Sequence, residues 1–161
     1  LEYEPWIYLV KRCCEIKARV VETDEREEGL RKILNYGHTL GHAIETWSGY
    51  NLRHGEAVAL GMVAEGLVAC SLGFLDGKSL ERIQRILEKF GLSTKLAPQA
   101  RIDDIIKFTY WDKKARGGKV QYLLPSRIGD TVRINGAYTL VVDNEDLIKE
   151  ALVSLQTCRL Y

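Results

Sequence analysis

Hydrophobic positions recur at helical spacing over most of this 161-residue chain. Trp6, Ile7, Val10, Cys13, Cys14, Val20 and Val21 fall three or four residues apart, which predicts a helix over about residues 4–23. A charged stretch from Glu22 to Lys32 follows. A second helix is predicted over about residues 33–47, ending near Gly49, with residues 50–55 as a loop. From Ala57 to Leu72 the chain is apolar nearly all round, with Glu65 and Ser71 as the strongly polar exceptions. Such a helix is normally central and buried, and this one is too short and too interrupted by Glu65 to span a membrane. Ser79 is placed to cap a fourth helix that carries Leu80, Ile83, Leu87 and Phe90 on one side and stops at Gly91. Ile102, Ile105, Ile106 and Tyr110 mark a fifth.

The texture then changes. Val120, Tyr122 and Leu124 alternate, and Val132, Ile134 and Tyr138 to Val142 read as extended, with Gly129 and Gly136 at turns. Leu147, Ile148, Ala151, Leu152 and Leu155 mark a last helix. The fold predicted is mainly α: one multi-helix domain over residues 1–161 with a small β-hairpin near its end.

Charge narrows the function. Twenty-three basic residues against 22 acidic ones argue against a nucleic-acid binder held by bulk charge, but leave room for a small anion on a local basic cluster. Cys13, Cys14, Cys70 and Cys158 form no C-x-x-C pair, so neither a zinc knuckle nor a redox motif is indicated, and a reducing cytoplasm fits. The chain starts at Leu1 and its only methionine is Met62, which reads as a piece of a longer protein.

The chemistry concentrates in the histidines. His38, His42 and His54 are the only three, and all lie within 17 residues. His38 and His42 are four apart and share a helix face, where two imidazoles can hold a divalent metal, most often zinc. Spacing alone favours that pair as ligands. Gly37 and Gly41 repeat the same interval, and a helical glycine costs roughly 1 kcal/mol against alanine, so close approach of a helix or ligand is expected there. If the helix extends back far enough, Arg31, Asn35, His38 and His42 form one line along it. Lys17 interrupts the apolar stripe of the first helix, where a charge needs a cleft or a partner. Asp112-Lys113-Lys114-Ala115-Arg116-Gly117-Gly118 is a basic, glycine-flanked loop able to fold over an anion, and Glu27 lies in an acidic run with Asp24, Glu25 and Glu28.

Taken together, these blocks resemble the 3-dehydroquinate synthase family. The residues that carry the resemblance are Lys17-Ala18-x-Val20-Val21, Asp24-Glu25-x-Glu27, Gly29-Leu30-Arg31 with Asn35, Gly37-His38-Thr39-x-Gly41-His42-Ala43-Ile44-Glu45, His54-Gly55-Glu56-Ala57-Val58-Ala59-x-Gly61-Met62, and Asp112-Lys113-Lys114. The order holds from about residue 4 to residue 155, and the two histidine blocks are the specific part. The resemblance implies the C-terminal helical domain of the dehydroquinate synthase-like fold, without the N-terminal NAD-binding α/β domain. It implies conversion of 3-deoxy-arabino-heptulosonate 7-phosphate to 3-dehydroquinate and phosphate, in the shikimate route to aromatic amino acids, with NAD⁺ and Zn²⁺ or Co²⁺.

By the same resemblance His38 and His54 are metal ligands, which overrides the spacing argument for His38 with His42. His42 becomes a catalytic hydrogen-bonding or proton-transfer group, and Glu27 a proton acceptor. Lys17, Arg31, Asn35 and one of Lys113 and Lys114 grip the substrate's carboxylate and phosphate. The partners implied are that sugar phosphate, the chain's own N-terminal domain and a second subunit in a homodimer, with neither nucleic acid nor membrane. The family's third metal ligand is a glutamate upstream of Leu1, so the chain by itself is expected to bind zinc poorly and to be inactive. Glu45 and Glu56 are the nearby carboxylates able to stand in. Two other readings compete: another NAD- and zinc-dependent sugar phosphate cyclase, such as a 2-deoxy-scyllo-inosose or 2-epi-5-epi-valiolone synthase, and a helical metal-binding or oligomerisation module without catalysis. Lys17, Arg31 and the Lys113-Lys114 pair suit a substrate with both carboxylate and phosphate and favour dehydroquinate synthase. Apolar patches near the first two helices are expected to drive association.

Overall fold

A computed structural model describes residues 3–114 and 119–157, with the side chains of residues 112–114 outside that description. The backbone falls into two compact units, Leu1–Leu34 and Asn35–Tyr161. In the first, α1 (Glu4–Thr23) opens with a proline in its first turn, where no intrahelical N–H is needed. Its bounds match the periodicity. Val20 is its one buried residue, while Trp6, Ile7, Tyr8, Val10 and Ile16 stay exposed.

The predicted second helix is shorter than its hydrophobic pattern. A 3₁₀ segment covers Leu30–Asn35, and α2 proper is His38–Trp47. Gly37 sits between them at φ +80°, a left-handed conformation that interrupts an α-helix and that glycine adopts without a Cβ penalty. Arg31 and Asn35 therefore do not continue the face that carries His38 and His42.

In the second unit α3 (His54–Ser71) is the central helix, buried at Ala57, Ala59, Leu60, Val63, Ala64, Leu67 and Val68. Its apolar surface runs all round because α2, α4 (Gly77–Lys89) and α6 (Glu145–Thr157) pack on it from different sides. The helix α5 (Ile102–Lys114) packs on α2 and α6. Leu40, Ile44, Val63, Ile105 and Leu152 are fully buried, each stabilising the fold by about 1.5–3 kcal/mol. The cap of α4 is Asp76, whose carboxylate accepts from the Ser79 N–H; Ser79 is the third residue of the helix and not its cap.

The predicted hairpin is two nested two-stranded ladders. β1 (Gln121–Tyr122) pairs antiparallel with β4 (Leu140–Val141), and between them β2 (Pro125–Arg127) pairs with β3 (Asp130–Thr131). Val120, Tyr122 and Leu124 are buried as their alternation requires, but so is Leu123, so this segment is covered on both faces. Among the described residues no helix is long and apolar enough to cross a membrane.

Candidate metal centre

The geometry of the centre starts from three glycines. A Cβ on Gly61 of α3 would lie 2.0 Å from the Gly37 carbonyl oxygen and 2.6 Å from the Gly41 nitrogen, and one on Gly41 would lie 2.9 Å from the Val58 Cα. The backbones of α2 and α3 are therefore in direct contact. This is the close approach that the spacing of Gly37 and Gly41 anticipates, and Gly61 supplies its other side.

Gly37 has no side chain to cap α2, so the cap comes from α3. Glu65 is fully buried, and its Oε2 accepts from the Gly37 N–H at 2.8 Å while Oε1 accepts from the Leu40 N–H at 3.2 Å. Burial pushes this carboxyl up to about 8, against the opposing effect of backbone N–H groups of Gly37, Leu40 and Thr39. One turn earlier on α3, the Met62 carbonyl accepts from the hydroxyl of the half-buried Tyr36 at 2.6 Å. Burial raises the Tyr36 phenol well above its usual range.

On this frame His38 is the first residue of α2 and His42 lies one turn on, while His54 is the first residue of α3. The three rings meet pairwise, with centroids 5.5 Å (His38 and His42), 5.3 Å (His38 and His54) and 5.4 Å (His42 and His54) apart. One nitrogen from each lies within 4.8 Å of the others. Tetrahedral zinc with nitrogen ligands needs separations of roughly 3.4 Å, so small side-chain rotations bring these imidazoles to ligating distance. His38 and His42 are half-buried and exposed respectively, and His54 is exposed, so the centre is open to a ligand. The donor set fits zinc or cobalt.

Oxygens lie close to the rings of His38 and His54. His38 Nδ1 is 3.3 Å from the Tyr36 carbonyl oxygen, and His54 Nδ1 is 3.3 Å from Glu45 Oε2. Such contacts orient ligating imidazoles and fix their tautomer. Glu45 thus reaches the centre through His54. Glu56, the other carboxylate considered as a stand-in, turns back to accept from the Arg53 N–H at 2.8 Å and closes the start of α3.

The remaining candidates have distinct settings. Lys17 is exposed on α1. Asp24, which the sequence presents as part of a solvated acidic run, organises the segment after α1. Its carboxylate accepts from the backbone N–H of Glu28 at 3.0 Å, Gly29 at 2.8 Å and Arg31 at 2.9 Å, which holds its pKa below the usual carboxylate range, the Arg31 and Gly29 bonds being the main causes. Glu27 lies in this loop at φ +59°, an uncommon backbone for glutamate, and the Arg31 guanidinium donates to the Glu25 carbonyl at 2.8 Å. Asn35 is exposed at the end of the 3₁₀ segment. Lys113 and Lys114 close α5, and their side chains lie outside the described residues, as do Arg116 and Gly118. Glu65, Asp24 and Gly61 are the residues that sequence reasoning left without a role; a lone carboxylate inside the α3 apolar run was the one available signal.

The family model for the 3-dehydroquinate synthase C-terminal domain matches residues 1–115. The 3-dehydroquinate synthase of Acetivibrio thermocellus is 45% identical over 149 residues, covering 92% of this chain and 39% of that protein. That of Thermodesulfovibrio yellowstonii is 46% identical over 144 residues, covering 89% of this chain and 39% of the relative. The chain therefore spans about two fifths of the length of these relatives. Among solved structures, a 2-deoxy-scyllo-inosose synthase complexed with carbaglucose-6-phosphate, NAD⁺ and Co²⁺ superposes with a TM-score of 0.80 at 26% identity, covering 89% of this chain and 39% of the other. The 2-epi-5-epi-valiolone synthase of Streptomyces hygroscopicus subsp. jinggangensis, with NAD⁺ and Zn²⁺ bound, superposes with a TM-score of 0.76 at 25% identity, covering 92% and 39%. A family match over most of the chain and a histidine cluster built on abutting helix backbones agree: this chain belongs to the 3-dehydroquinate synthase family, within its C-terminal domain.

Proposed function

We propose that the chain is the metal- and substrate-binding half of a 3-dehydroquinate synthase, which converts 3-deoxy-arabino-heptulosonate 7-phosphate to 3-dehydroquinate and phosphate. The observation that carries this reading is the convergence of His38, His42 and His54 in a chain 45% identical to relatives of that name. The solved cyclases that act on other sugars are less similar, at 25–26% identity.

His38 and His54 hold the metal, Zn²⁺ or Co²⁺, and His42 handles a proton beside it. The Nδ1 contacts of His38 and His54 with the Tyr36 carbonyl and Glu45 are of the kind made by ligating histidines and are consistent with their role. A glutamate from a segment ahead of this chain completes the ligand set. A divalent ion so bound supplies Lewis acidity to a hydroxyl or ketone oxygen. NAD⁺, which the solved neighbours carry together with Co²⁺ or Zn²⁺, would be held mainly by the other half of the protein and would supply hydride-transfer chemistry there.

The chain's other residues bind and orient. Lys17, Arg31, Asn35 and one of Lys113 and Lys114 clamp the carboxylate and phosphate of a flexible dianion, where orientation is worth several kcal/mol. Glu27 accepts a proton, and the three N–H bonds made by Asp24 hold its loop in one conformation. The working enzyme is a cytoplasmic homodimer, and this chain without the remainder has no turnover.

The test is phosphate release from 3-deoxy-arabino-heptulosonate 7-phosphate by the complete protein, with NAD⁺ and zinc, beside glucose 6-phosphate and sedoheptulose 7-phosphate. Turnover of the first alone is the expected result. Turnover of either of the others in its place would reassign the chain to another cyclase, and no turnover of any would support a binding module.

A further inference from the structure

We infer that Glu65 is the positioning residue of the metal centre: its buried carboxylate supplies the cap that Gly37 cannot, and so fixes His38 relative to His54. The inference rests on reading those two histidines as ligands.

The argument begins with what residue 37 is prevented from being. Helix starts are ordinarily capped by Ser, Thr, Asp or Asn. At Gly37 any Cβ would fall 2.5 Å from the Met62 Cγ and 2.7 Å from both the Met62 nitrogen and the Val58 oxygen, and φ is +80°. A local cap is therefore excluded by the same backbone contact that brings α2 onto α3. The unpaired N–H groups of the first turn of α2 would otherwise be buried, at about 1–3 kcal/mol each. Glu65 meets them with both oxygens, at Gly37 and Leu40, on either side of His38.

Tyr36 adds a second tie on the near side, through its hydroxyl to the Met62 carbonyl. The segment holding His38 is thereby fastened to α3 before and after the histidine, and α3 is the helix whose first residue is His54. One rigid element sets both ligands. A residue there for packing alone would be apolar, like its buried neighbours Ala64 and Leu67. A carboxylate completely buried among them is costly and is explained by the bonds it makes.

The test compares Glu65→Leu, Glu65→Gln and the unchanged sequence, each in the complete protein, in Co²⁺ and Zn²⁺ titrations, read by cobalt absorption and calorimetry, with unfolding measured in parallel. Leu152→Ala on α6 serves as a variant destabilised away from the centre. Glu65→Leu is expected to weaken metal binding by about 10–100-fold in the folded protein, with part of the affinity restored in Glu65→Gln, whose amide oxygen still accepts from one of the two N–H groups. Leu152→Ala should lower the Tm and leave the affinity unchanged. Equal affinity in Glu65→Leu and the unchanged sequence, or equal losses in Glu65→Leu and Leu152→Ala, would overturn the inference. If Glu65→Leu does not fold, Glu65→Asp, which shortens the reach by one methylene, takes its place with the same expected direction.

Failure of the ligand reading is distinguishable. If the complete protein shows no cobalt signal, the metal assignment falls, and the positioning role is judged from the ring resonances of the three histidines. Displacement of the His38 signals in Glu65→Leu, reversed in Glu65→Gln, would support it, and unmoved signals would refute it.

Discussion

His38 and His54 each have an oxygen 3.3 Å from Nδ1, a contact that orients the ring of a ligating histidine. In the complete enzyme, replacing either by alanine is expected to abolish zinc binding in calorimetry, whereas His42→Ala should retain it and lower kcat by about 10²–10⁴-fold. Loss of binding in His42→Ala with retention in His54→Ala would reverse the roles. A second residue-scale expectation concerns acid and base. Burial raises Glu65 to about 8 from the ordinary 4.5, so the folded state keeps a proton that the unfolded chain has released. Its contribution is complete below about pH 4.5 and is lost as the pH climbs through about 8, a decline of the order of a few kcal/mol. Urea unfolding across that range should show stability falling with pH, and Glu65→Gln should remove most of the slope. A slope unchanged by the substitution would mean that Glu65 is ionised throughout.

Between elements, the contact of α2 with α3 is the feature on which the centre depends. Gly61→Ala would drive a Cβ to 2.0 Å from the Gly37 oxygen, so the helices must separate. Overpacking of this kind costs about 1–3 kcal/mol, and more where, as here, both partners are backbone. The expected outcome is a lowered urea midpoint together with weakened metal binding. Gly77→Ala at the start of α4, where nothing lies within 4 Å, should instead be neutral or stabilising by up to about 1 kcal/mol. Helix spacing in the sequence was enough to place α1, α3 and α6, because those stripes are continuous. It failed at Tyr36 and Gly37, because the break in α2 comes from the backbone of α3, distant in sequence, and not from local preference. The histidine cluster was legible from spacing, since two helix starts and one turn bring the three rings together. Glu65 was not, because one carboxylate in an apolar run shows only that burial needs a partner, without saying where the N–H groups come from.

At the scale of the molecule, α1 presents apolar side chains to solvent. On α1, Trp6 is 49%, Ile7 64% and Val10 60% exposed, although their spacing is that of a helix with a buried face. Water contact with such a stripe forgoes about 25 cal/mol for every Å² of apolar area that could be covered. The chain spans only 39% of the length of relatives such as the Acetivibrio thermocellus enzyme, so covering by the remainder of the protein is the expectation for the complete molecule. Alone, the chain should cover the stripe with itself. Sedimentation velocity at increasing concentration is expected to show association, and the paired change Ile7→Gln with Val10→Gln should return it to monomer without loss of helical circular dichroism. In the complete protein the same pair should lower the Tm, because there the stripe would be packed. A chain that stays monomeric at every concentration, with a complete protein indifferent to the pair, would show that α1 functions as a solvated helix and that its apolar spacing serves neither subunit nor domain contact.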